Sequence, residues 1–323
     1  MTKAIRIHKT GGPEVMQWEE VEVGEPGPGQ IRLRQTAIGL NYVDTYNRAG
    51  HYPIALPAIL GSEGAGIVEA VGPGVTEFKA GDRVGYSGAA GAYAETRLMA
   101  IDRAVKLPAG IDDRQAAAML LKGSTAYYLL HRTYKVQRGE TILVHAAAGG
   151  VGLIMCQWAK HLGVKVIGTV GSDAKAKLAA DHGCDHPIVY TRENFVERVK
   201  QITGGEGLPV VYDSIGKDTF MQSLDCLRPL GMMVSFGNAS GPVENFNLGV
   251  LAAKGSLFVT RATAGPYFKQ RADYLAAIHA VFDIVNSGKV KIEINQTYAL
   301  KDAIKAHQDL EGRRTTGSTL LIP

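Results

Sequence analysis

The chain is poor in cysteine, in long hydrophobic runs and in blocks of one charge. Its three cysteines, Cys156, Cys184 and Cys226, have no Cys-X-X-Cys spacing, which argues against a disulfide framework and favours a reducing compartment. No window reaches the roughly 18 apolar residues of a membrane span, and the N-terminus lacks the apolar core of a signal peptide. Lysines and arginines are scattered at a net charge of +4, which argues against a nucleic-acid partner. We therefore expect a cytoplasmic protein with no membrane partner.

The first third of the chain has the pattern of β-structure. Short β-favouring runs alternate with turns rich in glycine and proline, such as Glu25-Pro-Gly-Pro-Gly29. One helix is expected there, from about Asn41 to Arg48. The 323 residues, 46% of them apolar, are enough for two globular domains.

From Ala116 onward the pattern changes to short apolar runs that alternate with helical segments, which is typical of βαβ units and a parallel sheet. The predicted strands are Thr141–His145, Lys165–Val170, Pro187–Tyr190, Pro209–Asp213, Met232–Phe236 and Leu257–Thr260. After about Arg261, two helices (271–287 and 300–310) and a closing strand (318–322) are expected. We predict an α/β fold in which a Rossmann-type six-stranded parallel sheet domain, residues 121–262, is inserted in a mostly β domain formed by residues 1–120 and 263–323.

A glycine-rich turn follows the first strand of this sheet and opens a helix. It runs from Ala147 to Gly152 and matches the dinucleotide fingerprint Gly-X-Gly-X-X-Gly, except that Ala147 replaces the first glycine. A tight, closely packed turn would explain these small residues equally well. In a cofactor loop, they would let a pyrophosphate approach backbone N–H groups at the positive end of the helix.

The end of the second strand indicates which dinucleotide would bind. An NAD-preferring site carries Asp or Glu there for the ribose 2′-hydroxyl, but this chain has Gly171 and Ser172. Asp173 comes slightly late and is expected to be the N-cap of the next helix. Room at Gly171 and positive charge at Lys175 suit a 2′-phosphate. The alternative is that Lys175 is an ordinary exposed helix lysine.

Longer motifs extend the pattern over essentially the whole chain. They are GPEV, PGPGQIRLRQTAIGLNYVDTY, LPAILGSEGAGIVEAVGPGV, AGDRVGY, HAAAGGVG, VVYDSIG and MVSFGN. With them the chain resembles the zinc-free quinone oxidoreductases of the medium-chain dehydrogenase/reductase superfamily, the zeta-crystallin group, and especially its bacterial NADPH-dependent members. The resemblance implies a GroES-like fold for the mostly β domain. It also implies reduction of quinones by hydride transfer from the nicotinamide C4 of NADPH without a metal.

Comparison with zinc-dependent relatives supports the absence of a metal. Those relatives place a cysteine and a Gly-His-Glu histidine where this chain has Asn41 and Ser62, so that only Glu63 remains. Catalytic zinc needs three protein ligands and an open position. His145 is expected to be a packing or hydrogen-bonding residue, and His307 is among the histidines expected at surface or helix positions. No Ser–His–Asp arrangement is visible in the sequence.

The resemblance also implies the site residues. It places Asn41, Tyr46 and Tyr52 in the active-site cleft, where the tyrosines would flank a flat aromatic substrate, although ordinary packing also explains a tyrosine cluster. A tyrosine hydroxyl or solvent would protonate the product. The implied NADPH-binding residues are Asn41, Thr125, Ala147, Gly149, Gly150, Val151, Gly171, Ser172, Lys175, Tyr190, Ser214, Phe236, Gly237 and Arg313.

Two other functions and one assembly remain open at this stage. An alkenal or enoyl reductase would use the same hydride on an activated double bond. A protein recruited for a structural or RNA-binding role would bind NADPH without catalysis. The last strand of the sheet, within Ser256–Arg261, is an apolar edge, and such an edge is a pairing liability unless it is covered. We therefore expect a homodimer that joins two sheets through this edge.

Overall fold

The computed structural model describes all residues from Met1 to Pro323. They form two compact units. The first consists of Met1–Ser124, Gln270–Asn286 and Ile292–Pro323, and the second of Thr125–Lys269 and Ser287–Lys291. The predicted domain boundaries, after residues 120 and 262, lie a few residues before the limits of these units and stay a prediction.

Sixteen strands and ten α-helices are numbered along the chain. The strands are β1 Thr2–Ile7, β2 Met16–Val21, β3 Gln30–Leu40, β4 Ala58–Ile59, β5 Glu63–Val71, β6 Arg83–Ser87, β7 Thr96–Ala100, β8 Ala104–Lys106, β9 Thr141–Val144, β10 Lys165–Val170, β11 His186–Val189, β12 Leu208–Asp213, β13 Leu227–Ser235, β14 Phe258–Arg261, β15 Ile294–Ala299 and β16 Ser318–Ile322. The helices are α1 Tyr42–Ala49, α2 Asp113–Tyr128, α3 Gly150–His161, α4 Asp173–Asp181, α5 Phe195–Ile202, α6 Phe220–Leu224, α7 Gly249–Ala253, α8 Ala264–Tyr267, α9 Arg271–Asn286 and α10 Ala303–Glu311. None of the helices is both long and apolar enough to cross a bilayer.

The first unit is mostly β, as predicted. One sheet has the order β2-β1-β4, and a seven-stranded sheet has the order β15-β16-β3-β5-β6-β8, with β7 paired to β3. Alternate side chains of β3 such as Ile31 and Leu33 are fully buried in an apolar core that also takes in residues of α10, because successive strand residues point to opposite faces. The closing strand β16 pairs with β3, so the C-terminal segment completes the sheet begun near the N-terminus.

The second unit confirms the predicted six-stranded parallel sheet. Its order is β11-β10-β9-β12-β13-β14, and every pair in it is parallel. The chain moves outward from β9 to β11 and then returns to β12 on the other side of β9. The order therefore reverses beside β9, and an open α/β sheet binds its ligand outside the carboxyl ends of the strands at such a point.

Four strands, β2, β4, β8 and β15, were not expected from the sequence. β2 and β15 carry polar, partly exposed residues, and β4 and β8 are only two and three residues long. The sequence pattern after Ala116 indicates one helix that reaches about Tyr134, but α2 changes at Leu129 into a π-helical turn that ends at Thr133. Apolar periodicity continues through that turn, so it does not reveal the change in backbone hydrogen bonding.

Candidate functional site

The glycine-rich turn between β9 and α3 combines close packing with an open helix start. A side chain at Gly152 would place its Cβ 2.3 Å from the carbonyl oxygen of Ala146, and one at Gly168 would lie 2.6 Å from the Cβ of Ala147. Packing therefore explains the small residues at 147, 152 and 168. At Gly149 the nearest atom to such a Cβ lies at 3.2 Å, so this residue is not required by packing to the same degree.

The N-terminus of α3 has the properties of an anion-binding site. The helix is 12 residues long, its N-cap is Gly149 without a side-chain cap, and its first turn contains no acidic residue. The first N–H groups of a helix have no partner within it, and the helix dipole adds positive potential there. Gly149, Gly150 and Val151 are partly exposed. Their backbone fits the pyrophosphate of a dinucleotide.

The end of β10 brings together four of the implied NADPH-binding residues, Gly171, Ser172, Lys175 and Tyr190. A Cβ at Gly171 would lie 3.0 Å from the hydroxyl oxygen of Tyr190, so the tyrosine lies over this glycine. Ser172 is the N-cap of α4, and its Oγ accepts a hydrogen bond from the backbone N–H of Lys175 at 3.4 Å. The prediction that Asp173 is the N-cap is therefore wrong. Asp173 is the first residue of α4, because the extended backbone of Ser172 directs its shorter side chain at the helix start.

Asp173 has a different role. Its carboxylate forms a two-point ion pair with Arg192, with N–O distances of 2.7 and 2.6 Å. The hydrogen bond from Arg192 lowers the pKa of Asp173. A carboxylate engaged in this way places less negative potential beside Ser172 than an unpaired one would, which suits a phosphate at this strand end.

Three further predicted residues meet at the carboxyl ends of β12 and β13. A Cβ at Gly237 would lie 2.5 Å from the carbonyl oxygen of Ser214, so the two loops touch. The N–H of Phe236 donates to the carbonyl of Asp213 at 2.8 Å. Asp213 is fully buried, and its Oδ1 accepts from the N–H groups of Ile215 (2.6 Å) and Gly216 (3.0 Å). The buried carboxylate thus holds the loop that carries Ser214.

A buried hydrogen-bonded chain crosses this sheet through His145. Its Nδ1 lies 2.8 Å from Thr169 Oγ1 and its Nε2 lies 2.9 Å from Ser223 Oγ, which in turn lies 3.5 Å from Asp213 Oδ2. The expectation that His145 is a hydrogen-bonding residue is confirmed. The chain is not a catalytic triad, because the serine rather than the histidine lies in the middle and Ser223 is fully buried.

In the first unit, Asn41 takes part in a buried cluster of charged and polar groups. It is the N-cap of α1, and its Nδ2 donates to Glu63 Oε2 at 2.9 Å and to the carbonyl of Gly39 at 3.3 Å. The Glu63 carboxylate also accepts from the backbone N–H of Leu121 at 2.6 Å and from the ammonium of Lys122 at 3.1 Å. The side chains of Glu63 and Lys122 are 0% and 7% exposed. Glu63 therefore has a lysine ammonium as its cation.

A second buried chain lies beside this cluster. Asp44 accepts from Ser62 Oγ at 2.9 Å and from the Tyr93 hydroxyl at 3.0 Å, and that hydroxyl lies 3.0 Å from His307 Nε2. His307 Nδ1 lies 2.9 Å from Arg48 Nη1. Burial raises the pKa of Asp44 to about 6, and burial lowers that of His307 to about 3. His307 lies on a helix, as expected, but is completely buried.

The remaining predicted residues are divided between the two units. In the first unit, the rings of Tyr46 and Tyr52 meet edge to face with 5.5 Å between centroids, and Tyr46 is 8% exposed. Arg313 follows α10 with a φ of 58° and is exposed. In the second unit, Thr125 is partly exposed within α2.

Sequence reasoning missed Lys122, Asp44, His307 and Arg192. Lys122 did leave a signal, because it is the one charged residue in the apolar helical stretch Ala116–Leu130. His307 follows Ala303 and Ala306 at helical spacing, and both alanines are fully buried. Both positions could have been found from the sequence as charged or titratable residues on an apolar helix face.

No group of three or more His, Cys, Asp or Glu side chains has an arrangement that could hold a metal ion. The residues that occupy the positions of zinc ligands in the zinc-dependent relatives contribute an amide at Asn41 and a hydroxyl at Ser62. Both of these groups are engaged with carboxylates.

Comparison with known proteins matches both units. The family model described as Alcohol dehydrogenase GroES-like domain matches residues 27–109, and the one described as Zinc-binding dehydrogenase matches residues 150–285. The chain is 55% identical to a quinone oxidoreductase of Pseudomonas aeruginosa over 100% of both chains. It is 47% identical to a 2-haloacrylate reductase of a Burkholderia species, over 100% of this chain and 99% of that protein.

A solved structure gives the same result. The crystal structure of Escherichia coli quinone oxidoreductase complexed with NADPH is 51% identical and superposes with a TM-score of 0.98, over 99% of this chain and 100% of that one. Identities of this size over whole chains establish common descent. The chain belongs to the quinone oxidoreductases of the medium-chain dehydrogenase/reductase superfamily.

Proposed function

We propose that the protein reduces quinones with NADPH. The observation that carries the proposal is the combination of an uncapped, partly exposed start of α3 with Gly171, Ser172, Lys175 and Tyr190 at the end of β10. The first suits a pyrophosphate, and the second suits a 2′-phosphate. The NADPH complex of the Escherichia coli relative supports this cofactor. The names of the bacterial relatives support a quinone as the substrate.

NADPH supplies the chemistry in this proposal, because its nicotinamide C4 donates the hydride. The chain's own residues bind, orient and exclude water. We assign NADPH binding mainly to residues 121–262, and the substrate-binding tyrosines to the domain formed by residues 1–120 and 263–323. Asn41 and Arg313 in the latter and Thr125 in the former complete the proposed cofactor contacts. We also propose a cytoplasmic location, since all three cysteines are free thiols.

The direct test is quinone-dependent oxidation of NADPH by purified protein before and after exhaustive chelation. We expect the rate to be unchanged by chelation, because the Asn41 amide and the Ser62 hydroxyl replace two zinc ligands and both are engaged with carboxylates. Metal analysis of the chelated sample is the control. Turnover that is lost on chelation and restored by zinc would contradict the proposal.

The second prediction concerns Tyr46 and Tyr52. If the two rings flank the quinone, Tyr46→Ala and Tyr52→Ala should each raise the quinone KM about two- to tenfold, since an aromatic contact contributes about 0.5–1.5 kcal/mol beyond area burial. The dissociation constant for NADPH should change little. Tyr298→Ala, which removes a ring that packs against the core of the first unit, is the control. An unchanged quinone KM in both variants would refute this assignment.

A reductase of activated double bonds is the second candidate, favoured by the 47% identity to the 2-haloacrylate reductase. Both substrates would accept a hydride at a carbon conjugated to a carbonyl or carboxyl group. Steady-state comparison of a quinone, a 2-alkenal and a 2-haloacrylate with NADPH separates the two candidates. A kcat/KM for the quinone below that for either alkene would replace the first proposal with the second.

We propose that the protein is a homodimer joined through β14. This strand pairs with β13 alone, and its Phe258 and Val259 are 56% and 38% exposed. An apolar edge strand of this kind is normally covered. Sedimentation at micromolar concentration should give twice the 34.5 kDa of the chain, and Val259→Lys should shift the protein toward the monomer. A wild-type protein that sediments as a monomer would reject the proposal.

A further inference from the structure

The Glu63 carboxylate is a buried acceptor surrounded by donors. Its Oε2 receives the Asn41 Nδ2 at 2.9 Å and the Lys122 ammonium at 3.1 Å, and its Oε1 receives the Leu121 N–H at 2.6 Å. None of these three groups can accept a hydrogen bond from Glu63. The carboxylate therefore acts only as an acceptor, and the ammonium of Lys122, whose side chain is 7% exposed, balances its charge.

This arrangement fixes which way the Asn41 amide faces. Its Nδ2 meets two groups that only accept, Glu63 Oε2 and the carbonyl of Gly39. If the amide were turned over, its oxygen would face those acceptors and repel them. The Asn41 oxygen therefore faces the start of α1, where it takes part in the capping box with the backbone N–H of Asp44, and its second lone pair is the group left for a further partner. The chemical class that such an oxygen takes is a hydroxyl or an amide N–H donor.

We propose that Lys122 is a positioning residue for the reduction: by balancing the charge of Glu63, it holds the Asn41 amide with its oxygen available to a hydroxyl or amide donor of the bound cofactor or substrate. Lys122 acts through Glu63 and touches neither ligand itself. The proposal rests on the proposed function, because it takes Asn41 as a site residue. It goes beyond that function, because it assigns a role to a buried ion pair that the hydride transfer does not itself require.

The test neutralises the pair without leaving a lone buried charge. In the double variant Lys122→Met/Glu63→Gln, the oxygen of the new amide accepts from the Leu121 N–H. Its NH2 group then faces Asn41 and favours the turned amide, against the capping-box bond from the Asp44 N–H. We expect thermal stability close to that of wild type. The kcat/KM should fall about tenfold or more, as for other residues that orient a site group, and the dissociation constant for NADPH should rise. A double variant with wild-type stability, kcat/KM and NADPH affinity would overturn the proposal.

The same double variant is then made in a protein that lacks the Asn41 amide, which completes a double-mutant cycle. In an Asn41→Ala background, the same neutralisation should have almost no further effect on kcat/KM, because Lys122 acts through the missing amide. Full additivity of the two changes would show that the pair acts elsewhere, and would also overturn the proposal. The matched control is Arg83→Met/Asp113→Asn, which neutralises a pair (2.6 Å) that also anchors α2 and should leave kcat/KM unchanged.

Neutron diffraction from the wild-type protein tests the premise if the double variant fails to fold. The expected result is that the deuterated amide nitrogen of Asn41 (Nδ2) faces Glu63 and that the Glu63 carboxyl carries no deuteron. An amide oxygen facing a protonated Glu63 would refute the proposal. Wild-type protein that does not reduce quinones with NADPH would instead refute the proposed function, and the neutron result and the NADPH affinities would still judge the role of Lys122.

Discussion

Lys175→Ala should weaken NADPH binding by about ten- to a hundredfold and leave NADH binding nearly unchanged. A hydrogen bond that involves a charged group contributes about 1.5–3 kcal/mol, and each 1.4 kcal/mol is about tenfold in affinity. Lys175 lies in the first turn of α4, one turn after Gly171, and the Ser172 hydroxyl caps the same turn. The 2′-phosphate that this lysine would address is absent from NADH, so removal of the charge should affect one cofactor only.

Two controls make the comparison specific. Lys177→Ala removes an exposed lysine of the same helix that is paired with Asp181 at 2.8 Å, and it should change neither affinity. Tyr190→Phe should weaken NADPH only severalfold, because a neutral hydrogen bond contributes about 0.5–1.5 kcal/mol. Equal losses for NADH and NADPH in Lys175→Ala, or no loss for either, would show that the phosphate binds elsewhere.

The sheet and its strand ends could be predicted because their signals are local. Apolar runs of four to six residues between helical segments predict β9 to β14 to within one residue at each end, except that β13 begins five residues earlier than predicted. The carboxyl ends of parallel strands meet at one edge, so Gly171 and Tyr190, 19 positions apart along the chain, could be placed together without coordinates. Strand β2 gave no such signal, because its exposed residues lack the alternation that indicates a half-buried strand.

The buried polar groups of the first unit could not be predicted, because their partners are distant in sequence. Tyr93 and His307 are 214 positions apart, and Lys122 and Glu63 are 59 apart. A single sequence carries no pattern that links such residues. What the sequence does show is the cost of burial, since Lys122 and His307 both interrupt apolar helix faces and each needs a partner.

In the buried hydrogen-bonded chain Arg48–His307–Tyr93–Asp44, the direction of every bond follows from Arg48. A guanidinium only donates, so His307 Nδ1 accepts from Arg48 and the ring carries its proton on Nε2. That N–H donates to the Tyr93 oxygen, and the Tyr93 hydroxyl then donates to Asp44. A second proton on His307 would break the bond to Arg48 and place two positive charges together. Burial and, after it, the positive charge of Arg48 lower the pKa of His307 to about 3.

Asp44 and His307 have opposite effects on the pH dependence of stability. The pKa of His307 is lowered from 6.5 to about 3, so its contribution is present above pH 6.5 and is lost progressively as the pH falls toward 3. That loss amounts to about 5 kcal/mol when complete. The pKa of Asp44 is raised from 3.8 to about 6, so its contribution of about 3 kcal/mol is present below pH 3.8 and is lost as the pH rises through 6. Between pH 6 and 4 the two nearly cancel.

Substitution of His307 by glutamine should therefore expose the contribution of Asp44. A glutamine can accept from Arg48 through Oε1 and donate to Tyr93 through Nε2, so it can keep the chain while removing the titrating ring. Between pH 7 and 4, the unfolding free energy of His307→Gln should rise by about 3 kcal/mol relative to that of wild type, because only wild type loses the histidine contribution. Urea unfolding at pH 7, 6, 5 and 4 measures this difference. The exposed His161, at the end of α3, supplies the matched variant His161→Gln, whose curve should run parallel to that of wild type. If the curve of His307→Gln also ran parallel to it, His307 would not be held neutral by its burial against Arg48.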